Sequence, residues 1–252
     1  MTESGTHLRN PTLECIASRH RRECLLALNR WGSTLSVKQL TAYLAATEQG
    51  RSSLDTPELE AMQVQLTHVH LPALEDAGFI SWKEDDDVVQ IATHPALDDP
   101  RFERLLKINA GDVDAILSAL SHEYRRITLT VLEAEQTKSR TELAHEIRHR
   151  LPVTVDHELP SAEEIGLLLH HVHLPTLDEV DVIDFDPATG DVSYNDHPVL
   201  ERIFAIVFER DDSAVEKLDG FLNGLADSYQ QASRGTNSKA DWPHFWNNPY
   251  YG

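Results

Sequence analysis

The sequence predicts a mainly α-helical α+β fold with small β-hairpins, written twice along one chain. Three observations predict it. "HVHLPALEDAGFI" (His68 to Ile80) returns as "HVHLPTLDEVDVI" (His171 to Ile183), with seven of thirteen positions identical. Apolar residues recur at helical spacing ahead of each copy. Each copy then runs into two short strand-like segments bounded by turn residues. With 252 residues, the chain has room for two domains of ordinary size.

The elements follow in order. "RRECLLAL" (Arg21 to Leu28) matches "RRITLTVL" (Arg125 to Leu132), and both place leucines on one helical face. Short turns follow, "RWGSTLS" and "EQTKS". Ser36 and Ser139 suit the N-cap of a second helix, "VKQLTAYL" or "RTELAHEI". The copies are offset by 104 residues at the paired arginines and by 103 afterwards, so one residue is lost in the loop near Gly32. A polar loop leads to a third helix at "TPELE" or "PSAEE", with Thr56 or Ser161 as cap and acids in the first turn. "FISWK" with "VVQIA", and "VIDFD" with "DVSYN", supply two strands each; "DPATG" is a hairpin turn. "HPAL" and "HPVL" close the units. A doubling this long is a domain duplication rather than a solenoid period.

Three helices and a two-stranded hairpin make the winged helix-turn-helix order, so two tandem winged-helix domains are expected. "HLPALEDAGFI" resembles the end of a recognition helix running into the wing in ArsR-like regulators. The full pattern of each copy resembles more closely an uncharacterised winged-helix family of haloarchaea. That resemblance covers about 17–96 and 120–199 and implies a fold, not an activity. The expected domains are an extension (1–16), winged helix one (17–97), a helical linker (98–119), winged helix two (120–200), a C-terminal helix (201–231) and a flexible aromatic tail (232–252).

Charge is the strongest compositional signal. Asp and Glu number 42 against 22 Lys and Arg, a net charge of -20, and only six of the basic residues are lysine. This balance suits the cytoplasm of an extreme halophile, where salt screens self-repulsion and carboxylates hold water. Cys15 and Cys24 make no disulfide framework. No apolar run reaches membrane-spanning length, and the opening "MTESGTHLRNPTLE" has no signal core, so a cytoplasmic protein without membrane contact is expected.

On a regular helical wheel, Met62, Leu66, Val69 and Ala73, or Ile165, Leu169, Val172 and Thr176, form the core stripe. The outer face then carries Val64, His68 and Leu71, or Leu167, His171 and Leu174. Gln63, Gln65 and Thr67 flank it in copy one; Gly166, Leu168 and His170 flank it in copy two. Copy one has the groups to read base edges (Gln63, Gln65, Thr67, His68), with His170 and His171 as the counterparts in copy two. Lys83, Lys138, Arg140, Arg148 and Arg150 are candidate phosphate contacts. The apolar outer positions Val64, Leu71, Leu167 and Leu174 are a candidate interface between the copies or between two chains. Trp242, Phe245 and Trp246 of the tail are candidate anchors for the same purpose. Pro72 and Pro175 deny a hydrogen bond to the carbonyls four residues back, so a kink or local unwinding is expected there. Arg21, Arg22, Arg125 and Arg126 are expected to bond carboxylates within their domains.

Little points to chemistry. His68 and His70, like His171 and His173, are two residues apart and point to different helix faces. His145 and His149 are one turn apart and are the weak metal candidates. No phosphate-cradling glycine loop, nucleophile elbow or repeated acid–base pair is present, so neither an enzyme nor a cofactor is expected. Two readings follow: a DNA-binding transcriptional regulator of a halophilic archaeon that uses its winged helices as an intramolecular pseudo-dimer on double-stranded DNA, or a module that binds protein, as a homodimer or with another partner. The acidic wings, "EDDD" at Glu84 to Asp87 and Asp184, Asp186 and Asp191, weigh against the first.

Overall fold

The structure is a computed structural model that describes residues 8–32, 34–49, 56–83, 85–151 and 159–207. In unit one, α1 (Pro11–Ile16) and α2 (Arg19–Trp31) lead to α3 (Val37–Gln49). A long third helix follows in three parts: α4 (Thr56–Gln65), a π-helical turn (Leu66–His70) and α5 (Leu71–Asp76). The wing is β1 (Ile80–Lys83) and β2 (Val88–Ile91), and α6 (Pro100–Leu106) closes the unit. Unit two repeats this with α7 (Val113–Leu120), α8 (Glu123–Glu135), β3 (Thr137–Ser139) and α9 (Arg140–Arg150). Its third helix is α10 (Ala162–Leu168), a π-helical turn (Leu169–His173) and α11 (Leu174–Asp178). The strands β4 (Ile183–Phe185) and β5 (Asp191–Tyr194) lead to α12 (Pro198–Val207). The fold is thus mainly helical with small antiparallel sheets, and the two halves carry the same elements in the same order.

The repeat begins one helix earlier than residues 17 and 120, because α1 and α7 are counterparts. The paired arginines explain why. Arg21 donates to the carbonyls of Glu14 and Cys15, and Arg22 to that of Ile16 at 2.7 Å, all at the end of α1. Arg125 donates to Ala119 and Ser118, and Arg126 to Leu120 and Ser121, at the end of α7. The last carbonyls of a helix have no intrahelical partner and carry partial negative charge, which a buried guanidinium satisfies. The arginines were expected to meet carboxylates; the structure gives them mostly main-chain oxygens. Burial lowers the Arg125 pKa to about 10.

The caps form as expected where they are described. Ser139 with Glu142 and Ser161 with Glu164 make complete capping boxes, and Ser36 with Gln39 exchanges the same pair of bonds. Thr56 lies inside α4 rather than before it. "EQTKS" is a strand as well as a turn: β3 pairs with β5, giving the order β3-β5-β4. In unit one the same contact is reduced to Leu35 and Val89, which exchange both backbone bonds. The wing tips also hold the second helix. Asp87 accepts from the N–H of Val37 at 3.0 Å, and the carbonyl of Gly190 accepts from that of Arg140 at 2.8 Å. The histidines of "HPAL" and "HPVL" cap the closing helices, their Nδ1 atoms accepting from Ala96 and Val199.

The two halves share one continuous core. Helix α1 packs on α7, and α6 on α12. Asp114 of unit two accepts from the N–H of Arg19 at 3.0 Å and pairs with Arg22 at 2.6 Å. It thereby supplies the cap that Ser18 does not. From the other side, the N–H of Asn10 bonds the carbonyl of Ser121 at 2.7 Å, and His197 meets Asp112 at 2.9 Å.

The third helices depart from the regular wheel. In each π-turn the N–H of the residue before the proline reaches five residues back, Leu71 to Leu66 and Leu174 to Leu169. Proline has no N–H and its ring crowds the carbonyl four residues earlier, so the helix widens just ahead of it. One extra residue in the turn rotates everything beyond it by about 100°. Leu71 and Leu174, expected on the outer face, are therefore fully buried with Leu66, Leu74, Leu169 and Leu177. Val69 and Val172, expected in the core, stand 53% and 46% exposed.

This phase is testable by equilibrium unfolding. Leu174→Ala is expected to cost about 2–5 kcal/mol, as for a filled core site. Val172→Ala is expected to stay within about 0.5 kcal/mol. A regular wheel demands the reverse order.

Candidate nucleic-acid and protein interface

The surface left after packing is the outer side of each third helix beside its wing. In unit one Gln63, Gln65 and His68 are exposed, Thr67 is half-buried, and Val64 is 57% exposed. This places four of the expected base-reading residues together on one helix, with Val69 added by the rotation. In unit two Leu167 and Leu168 are 61% and 42% exposed, and Val172 joins them. His171 is exposed, while His170 is half-buried, edge-on to His171 and to Phe185 of the wing. Of the expected interface, then, Val64 and Leu167 stand outward and Leu71 and Leu174 do not. Leu168 and Val172 were missed as interface residues. A proline three positions beyond Val172 was the available signal.

Because Val64 and Leu167 are both exposed, the two units do not press these faces together within the chain. Their junction runs instead through α1, α7, α6 and α12.

The cations are partly committed. Lys138, in β3, pairs with Glu135 at 2.8 Å, and Arg150 pairs with Glu146 at 3.2 Å. Arg140 opens α9 and is half-buried; Arg148 on α9 and Lys83 at the end of β1 are exposed. Around the second wing, Asp178, Asp184, Asp186, Asp191 and Glu142 line a shallow concavity with Lys138. His145 and His149 lie exposed on α9. Among the described residues no three groups able to hold a metal ion converge, and no helix is long and apolar enough to cross a membrane. Trp242, Phe245 and Trp246 lie outside the described residues.

Beneath each outer face is a histidine that sequence reasoning left aside. His173 is 4% exposed and stacks on His122, ring centroids 4.2 Å apart, with the Tyr124 ring at 5.3 Å. Its counterpart His70 packs on His20 at 5.0 Å. These contacts tie each π-turn to the first long helix of its own unit. Burial, and for His122 the neighbouring His173, push the His122 pKa down to about 3; burial pushes that of His173 down to about 4, and that of His70 to about 4.

An unfolded histidine takes a proton near pH 6.5, whereas these do so only near 3–4. Between those values the unfolded chain binds more protons, so acid favours unfolding. Stability is expected to fall as pH drops from about 6.5 toward 4. His173→Phe is expected to flatten that slope in denaturant titrations across this range, and an unchanged slope would count against the buried neutral imidazole.

The Domain of unknown function (DUF7344) model matches the chain twice, over residues 13–90 and 117–193. Both matches take in residues of the helix before the paired arginines and run into the wing. No curated protein and no solved structure matches the chain. The two matches together span more than half of the sequence, and the chain belongs to the DUF7344 family as a tandem pair of its domains.

Proposed function

We propose that this chain is a DNA-binding transcriptional regulator whose unit-one third helix reads base edges in the major groove. The observation that carries the reading is the clustering of Gln63, Gln65, Thr67 and His68 on an outward, uncharged helix side beside a hairpin wing. Glutamine pairs with adenine N6 and N7, and threonine and histidine supply further donors and acceptors. From Met62 to Leu74 the helix has no charged side chain, so it meets bases without burying a charge. Lys83 at the wing and Arg148 on α9 are the exposed cations for phosphate. The acidic remainder fits a halophilic archaeal cytoplasm, where concentrated cations screen carboxylate from phosphate.

A second reading, a protein-binding module, is favoured by one observation: unit two offers Leu167, Leu168 and Val172 where unit one offers glutamines. The two readings divide between the units rather than compete for one surface.

A mobility shift in molar KCl, with the DNA upstream of the protein's own gene, tests the proposal. Gln63→Ala with Gln65→Ala is expected to weaken specific binding about 5- to 100-fold. Arg148→Ala is expected to weaken binding to all sequences alike and to reduce the salt slope by about one. No shift, or variants that bind like the parent, would leave only the protein-binding reading.

A further inference from the structure

We infer that the unit-two third helix is a homodimerisation surface, taken by the same helix of a second copy of this chain. Leu167, Leu168 and Val172 are exposed on one side of a helix whose opposite side is fully buried. A stretch of large exposed side chains on an otherwise satisfied element marks an interaction site. The unit-one counterpart does not cover it, because Val64 and Val69 at the equivalent positions are themselves exposed.

Charge selects the occupant. In a two-fold contact each residue meets its own kind, so a face can pair with itself only where it carries no net charge. In this chain charged residues make up one in four, and carboxylates outnumber cations by nearly two to one. Most of its surfaces would repel their own copies. From Ile165 to Leu177 there is no Asp, Glu, Lys or Arg. Glu163 and Glu164 lie before this stretch and Asp178 and Glu179 after it, which leaves an apolar centre with a charged rim. Glu164 is also held at home by the cap of α10. High salt reinforces the choice by screening the rims while leaving apolar burial intact.

The unit-one stretch is equally free of charge but shows Gln63 and Gln65 where unit two has Gly166 and Leu168. Burying unpartnered amides against a second copy is costly. The duplication has thus separated two uses of one helix, with unit two joining chains and unit one left outward. A dimer so formed presents two unit-one helices, which is how paired half-sites would be met. That last step rests on the proposed DNA reading; the dimer itself does not.

Sedimentation of the full chain in molar KCl without DNA tests it. The parent protein is expected to be a dimer, and Leu167→Glu with Leu168→Glu a folded monomer, by circular dichroism, whose association is weakened at least about 100-fold by like charges meeting. Val64→Glu is expected to leave the dimer intact. A parent protein that stays monomeric, because its own C-terminal segment or another protein covers the face, overturns the inference. So does a dimer insensitive to the double substitution. Failure here with an intact mobility shift would leave the DNA reading standing, and the converse would leave the dimer standing.

Discussion

A single missing hydrogen-bond donor governs the surfaces this protein offers. Pro72 and Pro175 cannot return a bond to the preceding turn, and each third helix answers with a π-turn rather than a break. The added residue swings Leu71 and Leu174 into the core and Val69 and Val172 out of it. Everything that distinguishes the outer faces of the two units is read from that rotated helix. The buried His70 and His173 sit in the same turns, so the widened segment is packed from below as well as exposed above. A kink inside a core helix would ordinarily cost packing. Here the same leucines recur beyond it, so the core continues across the defect.

The second constraint is the join. Each unit draws its first two helices together with arginines directed at orphan carbonyls, and then passes one polar group to its partner unit. Asp114 caps α2 from across the junction, and Asn10 bonds Ser121 from the other side. These are positions 104 residues apart, so the duplicated gene product keeps the contact in two-fold form even though one side uses an amide and the other a carboxylate. With a continuous core beneath them, the two third helices belong to one framework rather than to two domains on a tether.

On that framework the chain distributes polarity unevenly. Carboxylates crowd the second wing, while both third helices are free of charge between their caps and their ends. An uncharged helix side in so acidic a protein is where a partner meets least electrostatic opposition. Unit one lines it with amides and a hydroxyl, unit two with aliphatic groups. That contrast supports a base-reading role for the first and a self-associating role for the second.

Much of this was legible in the residues. The duplication, the three-helix-and-hairpin order, the serine caps and the disturbance at each proline follow from local chemistry, which one stretch of chain specifies by itself. Gln63, Gln65 and His68 were placed outward, and stand there, because they precede the π-turn or lie within its first residues. The sequence did not give away the exposure of Val172, the strand at Thr137–Ser139, or the role of the paired arginines. Whether a proline kinks, breaks or widens a helix depends on which choice keeps Leu169, Leu174 and Leu177 in one core, and that is decided by the packing around them. Likewise a guanidinium accepts any well-placed oxygen, and only the folded chain put the ends of α1 and α7 within its reach. The sequence by itself determined the elements and their repetition, since those rest on neighbours in the chain. The tertiary structure decided which faces are left to the outside, since that depends on how turns far apart in the chain are rotated against a shared core.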